Sequence, residues 1–184
     1  MQLLRELVPS LRQLGVFWGY APPGYREEQV APATDELRRA ATALNMTVRF
    51  WQTGTERALA AALASATDLP LDALFITSGT IHSLAEIRPK IAEFVLRRRV
   101  PALTDFVGAL FAEGCVLAYS ADPHELAVRA AHFVDQILRG ARPGDLPIEQ
   151  PTKYGLSVSI KLAKALGLTI PQSLLLRADQ VIEQ

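Results

Sequence analysis

Residues Leu146 to Glu183 read LPIEQPTKYGLSVSIKLAKALGLTIPQSLLLRADQVIE, and local rules divide this stretch into a loop, a strand and two helices. Pro147 and Pro151 bracket a short extended run, because the residue before a proline is pushed out of the helical region. From Tyr154 to Ile160 the chain alternates, with Leu156, Val158 and Ile160 on one side and Ser157 and Ser159 on the other. That period of two predicts a strand with one buried face. Lys161 to Leu166 is helix-prone, and Gly167 is a natural stop just past its end. Pro171 stands where a last short helix tolerates proline at its first position.

Upstream, strand and helix signals alternate from the start of the chain. Leu3 to Val8 is a short helix closed by Pro9. Leu14 to Trp18 (LGVFW) is a compact apolar run of the kind a central parallel strand shows. Gly19 to Gly24 (GYAPPG) is a loop of turn residues. Val30, Leu37, Ala41 and Leu44 mark one face of a helix that Pro32 starts or kinks. Thr47 to Trp51 reads as a second strand. Thr55 caps a helix through Ala66, whose apolar face is Leu59, Leu63 and Ala66. Ala73 to Thr77 (ALFIT) has no alternation, which predicts a third strand buried on both faces. Ile87, Ile91, Phe94 and Val95 give a helix begun near Pro89. Val100 to Thr104 is a fourth strand, Asp105 to Phe111 a helical turn or two, and Cys115 to Tyr119 a fifth strand. Asp122 and Glu125 have capping-box spacing before a helix whose core face is Leu126, Ala130, Phe133 and Ile137. Asp135 and Arg139 pair on its outer face, and Gly140 ends it.

Alternating strands and helices predict an α/β fold, an open parallel sheet of flavodoxin-like type with flanking helices and right-handed crossovers. Ligands of such sheets sit outside the carboxyl ends of the strands, near the point where strand order reverses. Four junctions therefore carry functional interest: Gly19 to Tyr25, Ser78 to Ser83, Asp105 with Phe106, and Tyr119 with Ser120.

The chain has 184 residues, 49% of them hydrophobic, with 19 basic and 19 acidic side chains. That is enough for one domain with a real core, and composition excludes disorder. A formal charge of zero gives no electrostatic reason to expect nucleic acid as a partner. The Arg97-Arg98-Arg99 run reads as a solvated helix end favoured by the helix dipole. With one cysteine, Cys115, no internal disulfide forms, and its apolar neighbours predict a buried thiol. No apolar run reaches the roughly 18 residues of a membrane span, and Met1 to Glu6 lacks the pattern of a secretory signal.

Ser78-Gly79-Thr80 offers two hydroxyls and backbone N–H groups just past a buried strand. That suits a ligand carboxylate or amide, and equally an ordinary turn with Thr80 or Ser83 as a cap. Asp105 either holds a cationic amine by charge-assisted hydrogen bonds or caps the helix that follows. Gly19 and Tyr20 stand at the end of the first strand, and Tyr20, Phe106 and Tyr119 present aromatic faces either to a ligand or to packing. Catalytic signatures are missing. His82, His124 and His132 lack metal-ligand spacing, and there is no H-E-x-x-H, G-x-S-x-G or G-x-x-x-x-G-K-[ST] pattern. The first strand ends in GYAPPG, not G-x-G-x-x-G, and Pro22 and Pro23 have no N–H to offer a phosphate.

Glu149-Gln150-Pro151-Thr152-Lys153-Tyr154, a short strand, and then Lys161 through Glu183 (KLAKALGLTIPQSLLLRADQVIE) together resemble the C-terminal signature of substrate-binding proteins of ABC transporters. The resemblance covers essentially all of this chain but only the C-terminal part of the family. It implies a type I periplasmic-binding architecture of two α/β lobes joined by crossing segments. Residues 1–121 would be the second lobe, 122–145 a crossover helix packing on the first lobe, and 146–184 the return strand and last helices. It favours a ligand-binding role for the Ser78-Gly79-Thr80 loop and implies no cofactor and no enzymatic activity; with the strand-end positions, the candidate ligand-binding residues are Gly19, Tyr20, Ser78, Gly79, Thr80, Asp105 and Tyr119. The implied function is capture of a small polar solute, the family's ligands leaning toward amino acids, and its delivery to an ABC permease outside the cytoplasm. Intact relatives carry a leader and a first lobe ahead of this point, so the expectation is a shortened chain or partial reading frame. The stripe of helix 122–138 would then be covered by a second copy in a homodimer with Phe133 at the interface, or else fold back onto its own sheet. The alternative readings are a cytoplasmic flavodoxin-like or nucleotide-binding domain, with or without enzymatic activity, which a bound flavin would reveal, and a degenerate interaction module.

Overall fold

The computed structural model describes residues 1–19 and 27–183, with the backbone alone for residues 27–32. The apolar runs become five parallel strands: β1 (Gln13–Trp18), β2 (Thr47–Gln52), β3 (Ala73–Ile76), β4 (Ala102–Thr104) and β5 (Leu117–Ala121). β6 (Tyr154–Ser159) joins antiparallel to β5, and β7 (Gln180–Ile182) parallel to β6. The sheet order is β2-β1-β3-β4-β5-β6-β7. Its first five strands follow the flavodoxin-like order, which reverses between β1 and β3. The open sheet is thus mixed and mostly parallel, flanked by helices.

Those helices are α1 (Gln2–Leu7), α2 (Glu27–Ala43), α3 (Glu56–Ala66), α4 (Arg88–Arg98), α5 (Ala109–Gly114), α6 (Pro123–Leu138), α7 (Ile160–Leu166) and α8 (Gln172–Leu175). Right-handed crossovers place α2 on one face of the sheet and α3, α4 and α5 on the other. On the α3–α5 face, Phe17 meets Trp51 edge-on at 5.7 Å and Phe94 at 6.0 Å. Thr55 accepts from the Ala58 N–H as the cap of α3. Gly167, at φ +74°, ends α7 in the left-handed conformation that glycine adopts without a Cβ penalty. Cys115 is buried, and burial pushes its thiol pKa far above the ordinary value.

Several expectations are corrected. The fifth strand lies two residues later than Cys115–Tyr119, because pairing with β6 extends it to Ala121. β6 has no polar outer face: Ser157 and Ser159 are buried as fully as Leu156 and Val158. Their hydroxyls are satisfied, since Ser159 caps α7 through the Leu162 N–H at 3.2 Å and Ser157 reaches Gln180 of β7 at 3.4 Å. α2 begins before Pro32, not at it. The segment after β4 is not helical until Ala109.

The largest departure is α6. Not one of its residues is buried, so Leu126, Ala130, Phe133 and Ile137 form no core face within this chain, and the helix does not fold back onto the sheet. Its polar side is tied instead to the segment ahead of β6. Lys153 pairs with Asp122 at 2.9 Å, Thr152 bonds Glu125 at 2.9 Å, and Arg129 pairs with Glu149. Asp122 caps the helix through the His124 N–H, but the reciprocal half of the capping box is absent, because the Asp122 N–H goes to the Lys153 carbonyl.

Candidate functional site

The carboxyl ends of β1, β3 and β4 come together at one edge of the sheet. Asp105, just past β4, is half-buried and accepts from the Ser78 backbone N–H; the Ser78 hydroxyl bonds the same carboxylate. Burial raises the Asp105 pKa above the ordinary carboxylate value, while the two Ser78 bonds and its own backbone N–H act against that rise. The helix-cap role is excluded: the cap position of α5 is Gly108, and no side chain bonds the first turn. Asp105 instead clamps the β3 loop. Thr80 caps nothing either; it is exposed at the start of a single 3-10 turn, Ile81–Ser83.

Gly19 and Gly79 touch across the switch point between β1 and β3. A Cβ on Gly79 would lie 2.8 Å from the Gly19 carbonyl oxygen and 2.9 Å from Gly19 Cα. Only glycine allows two backbones to approach so closely. The Gly19 N–H donates to Thr77 Oγ1 at 2.8 Å. Tyr20 and the rest of its loop lie outside the described residues.

Tyr119 sits in the middle of β5, not at its end. It is 45% exposed and stacks on Tyr154 of β6, with ring centroids 5.5 Å apart and planes at 18°. It shares a sheet face with Asp105, through the register Phe75–Leu103–Leu117. That face floors a trough of about 1030 Å³, which Trp18, Phe75, Thr77, Asp105, Tyr119 and Tyr154 line beneath α2. Sequence reasoning missed Trp18 and Tyr154. Strand parity, applied once β6 is paired to β5, is the signal that finds Tyr154.

A half-buried carboxylate, an aromatic pair and apolar walls can hold a small molecule with a cationic and an aromatic or apolar part. Among the described residues no cluster of His, Cys, Asp and Glu could hold a metal ion, and no helix is long and apolar enough to cross a membrane.

The sequence matches the family of ABC transporter substrate binding proteins over residues 1–182. The chain belongs to that family. Solved structures share the fold. One is an ABC domain in complex with L-Trp from Streptococcus pneumonia, 23% identical with a TM-score of 0.82, matched over 98% of this chain and 60% of that one. A conserved domain protein from Vibrio cholerae is 19% identical with a TM-score of 0.83, over 98% and 58% of the two chains. A ligand-free, open substrate-binding protein with adhesive properties from Clostridium difficile is 16% identical with a TM-score of 0.69, over 100% and 58%. The chain therefore spans about 60% of the length of these relatives or slightly less. No curated protein matches it. The family is one of extracytoplasmic binding proteins, and it supports a solute-binding role.

Proposed function

We propose that residues 1–121 form the second lobe of a non-enzymatic solute-binding protein that captures a small amine-bearing solute of the amino-acid class. Asp105 is the observation that carries this reading. A half-buried carboxylate at the carboxyl edge of the strands, held by Ser78 and flanked by an aromatic trough, fits an ammonium group. Gly19, Tyr20, Gly79, Thr80 and Tyr119 would complete this wall of the site. The opposing wall would come from a first lobe, and closure of the two lobes on the ligand would favour the bound state. An ABC permease would receive the solute outside the cytoplasm.

Calorimetry of the two-lobed protein against the amino acids, L-tryptophan included, tests the reading. Asp105→Ala removes one charge-assisted bond, worth roughly 1.5–3 kcal/mol, or about ten- to a hundredfold in affinity. Unchanged affinity would show that Asp105 only clamps the loop, and absence of binding across the panel would exclude the ligand class.

We further propose that 122–145 is the crossover and 146–184 the return, with the apolar face of α6 a packing surface for the first lobe. Leu126, Val134 and Ile137 are 44, 55 and 40% exposed, and each gains roughly 1.5–3 kcal/mol on full burial. In the isolated 184-residue chain the same face would pair with a second copy, as symmetric dimers most often do. Light scattering should give a dimer mass that Ile137→Glu reduces to the monomer; a monomer before the substitution refutes the pairing.

A further inference from the structure

His82 lies in the 3-10 turn that follows β3 and is 1% exposed. Its Nδ1 lies 2.8 Å from the Thr77 carbonyl oxygen. A carbonyl only accepts, so Nδ1 carries the proton. Nε2, 2.9 Å from Thr53 Oγ1, then accepts from that hydroxyl, and Thr53 is itself fully buried. Both ring nitrogens are thereby used, in one tautomer.

The ring also forms the seat for the end of β1. A Cβ on Gly19 would meet His82 Cε1 at 2.9 Å and Nδ1 at 3.0 Å. Gly79 closes the other side of Gly19. The Thr53 N–H donates to the Trp18 carbonyl at 2.8 Å, and the Gly19 N–H donates to Thr77 Oγ1. The ends of β2, β1 and β3 thus converge on one imidazole, directly behind the loop whose Ser78 N–H holds Asp105.

We infer that His82 is a positioning residue that pins the ends of β1, β2 and β3 and so fixes the loop edge formed by Gly19, Ser78 and Gly79. That this edge faces a solute rests on the function proposed above; the pinning itself does not. Both Thr53 and the imidazole are required, because each ring nitrogen secures a different strand. Without the Thr53 hydroxyl, Nε2 becomes a buried acceptor with no donor, while the Thr77 carbonyl still holds the proton on Nδ1.

The test needs no ligand. Long-range proton–nitrogen spectra of the labelled 184-residue chain should show a single tautomer, protonated at Nδ1. Thr53→Val keeps the shape of the side chain and removes its donor. It should leave the proton on Nδ1, which the Thr77 carbonyl still holds, and speed hydrogen exchange at the amides of positions 19 and 53 by about tenfold, while the Val16 and Ile76 amides keep their parent rates. His82→Asn, which retains a donor near Nδ1, should leave Gly19 better protected than His82→Ala does. A ring protonated at Nε2, unchanged exchange at Gly19, or one common acceleration at all amides would each overturn the inference. The last outcome would mark His82 as ordinary core. Should His82→Ala not fold, Thr53→Val and the tautomer decide alone. A parallel titration of the two-lobed protein with L-tryptophan reports on the solute reading, and its failure leaves the exchange result intact.

Discussion

Replacing Gly79 by alanine places a methyl group 2.8 Å from the Gly19 carbonyl oxygen and 2.9 Å from the Gly19 carbonyl carbon and Cα. All three atoms are backbone, and Gly19 has little room to retreat, since even a Cβ on it would meet His82 at 2.9 Å. No flexible side chain can give way, so the ends of β1 and β3 must separate. Overpacking of this kind costs about 1–3 kcal/mol. In a chain of this size each kcal/mol lowers Tm by roughly 2–4 °C, which gives an expected fall of roughly 2–12 °C. Two other glycines serve as internal standards. A Cβ on Gly108 would meet the Phe106 ring at 2.6 Å, but that ring is 48% exposed and can swing away. A Cβ on Gly144 meets nothing within 4 Å. Thermal unfolding followed by circular dichroism should therefore rank Gly79→Ala below Gly108→Ala, and Gly108→Ala below Gly144→Ala. Gly144→Ala should stay within about 0.5 kcal/mol of the parent. A Gly79→Ala protein melting within about 1 °C of the parent would mean that the two loops are not in contact.

Ser159→Ala removes the cap of α7 and strands the buried Leu162 N–H, so urea unfolding should show a loss of about 0.5–2 kcal/mol; no change would mean that the α7 start is frayed. Acid should weaken the fold through His82, whose pKa burial lowers from 6.5. The folded state prefers the neutral ring, so this contribution is present above 6.5 and is lost as the pH falls towards the lowered folded value. Asp105 acts in the opposite sense and at lower pH, since its raised pKa favours the protonated folded state between 3.8 and that raised value. Urea unfolding from neutral pH to about pH 5 should show stability falling, with a shallower slope in His82→Asn; equal slopes would remove His82 as the cause.

The order of the elements was legible because period and punctuation carry it. LGVFW and ALFIT have no polar face, and both became central strands. Other features depend on a partner strand that local pattern does not reveal. Alternation in 154–159 predicted one wet face, but both serines on it are buried, Ser159 as the cap of α7 and Ser157 bonded across to β7. β7 itself, three residues long, is too short to show a period. At the site, Ser78 and Asp105 were legible as strand-end positions, and the structure places them in contact. That Asp105 bonds the neighbouring loop and not its own helix was not legible, because both options put an aspartate at the same place in the sequence.

The amphipathic stripe of α6 was equally plain, yet a stripe says only that a surface wants cover. It does not say which surface provides it. Here the polar flank of the helix is the committed side: Asp122, Glu125 and Arg129 each hold one residue of the 149–153 segment. Phe133 and Leu126 open onto a groove of about 500 Å³ beside that segment. These exposed pairs contribute little to stability one by one. Their shared effect is geometric, since they hold the chain leaving β5 and the chain entering β6 side by side. A helix with no buried residue keeps its direction only if such ties fix it. The apolar face of α6 is thereby presented in one orientation before any partner arrives, and a partner that binds it has less conformational freedom left to remove.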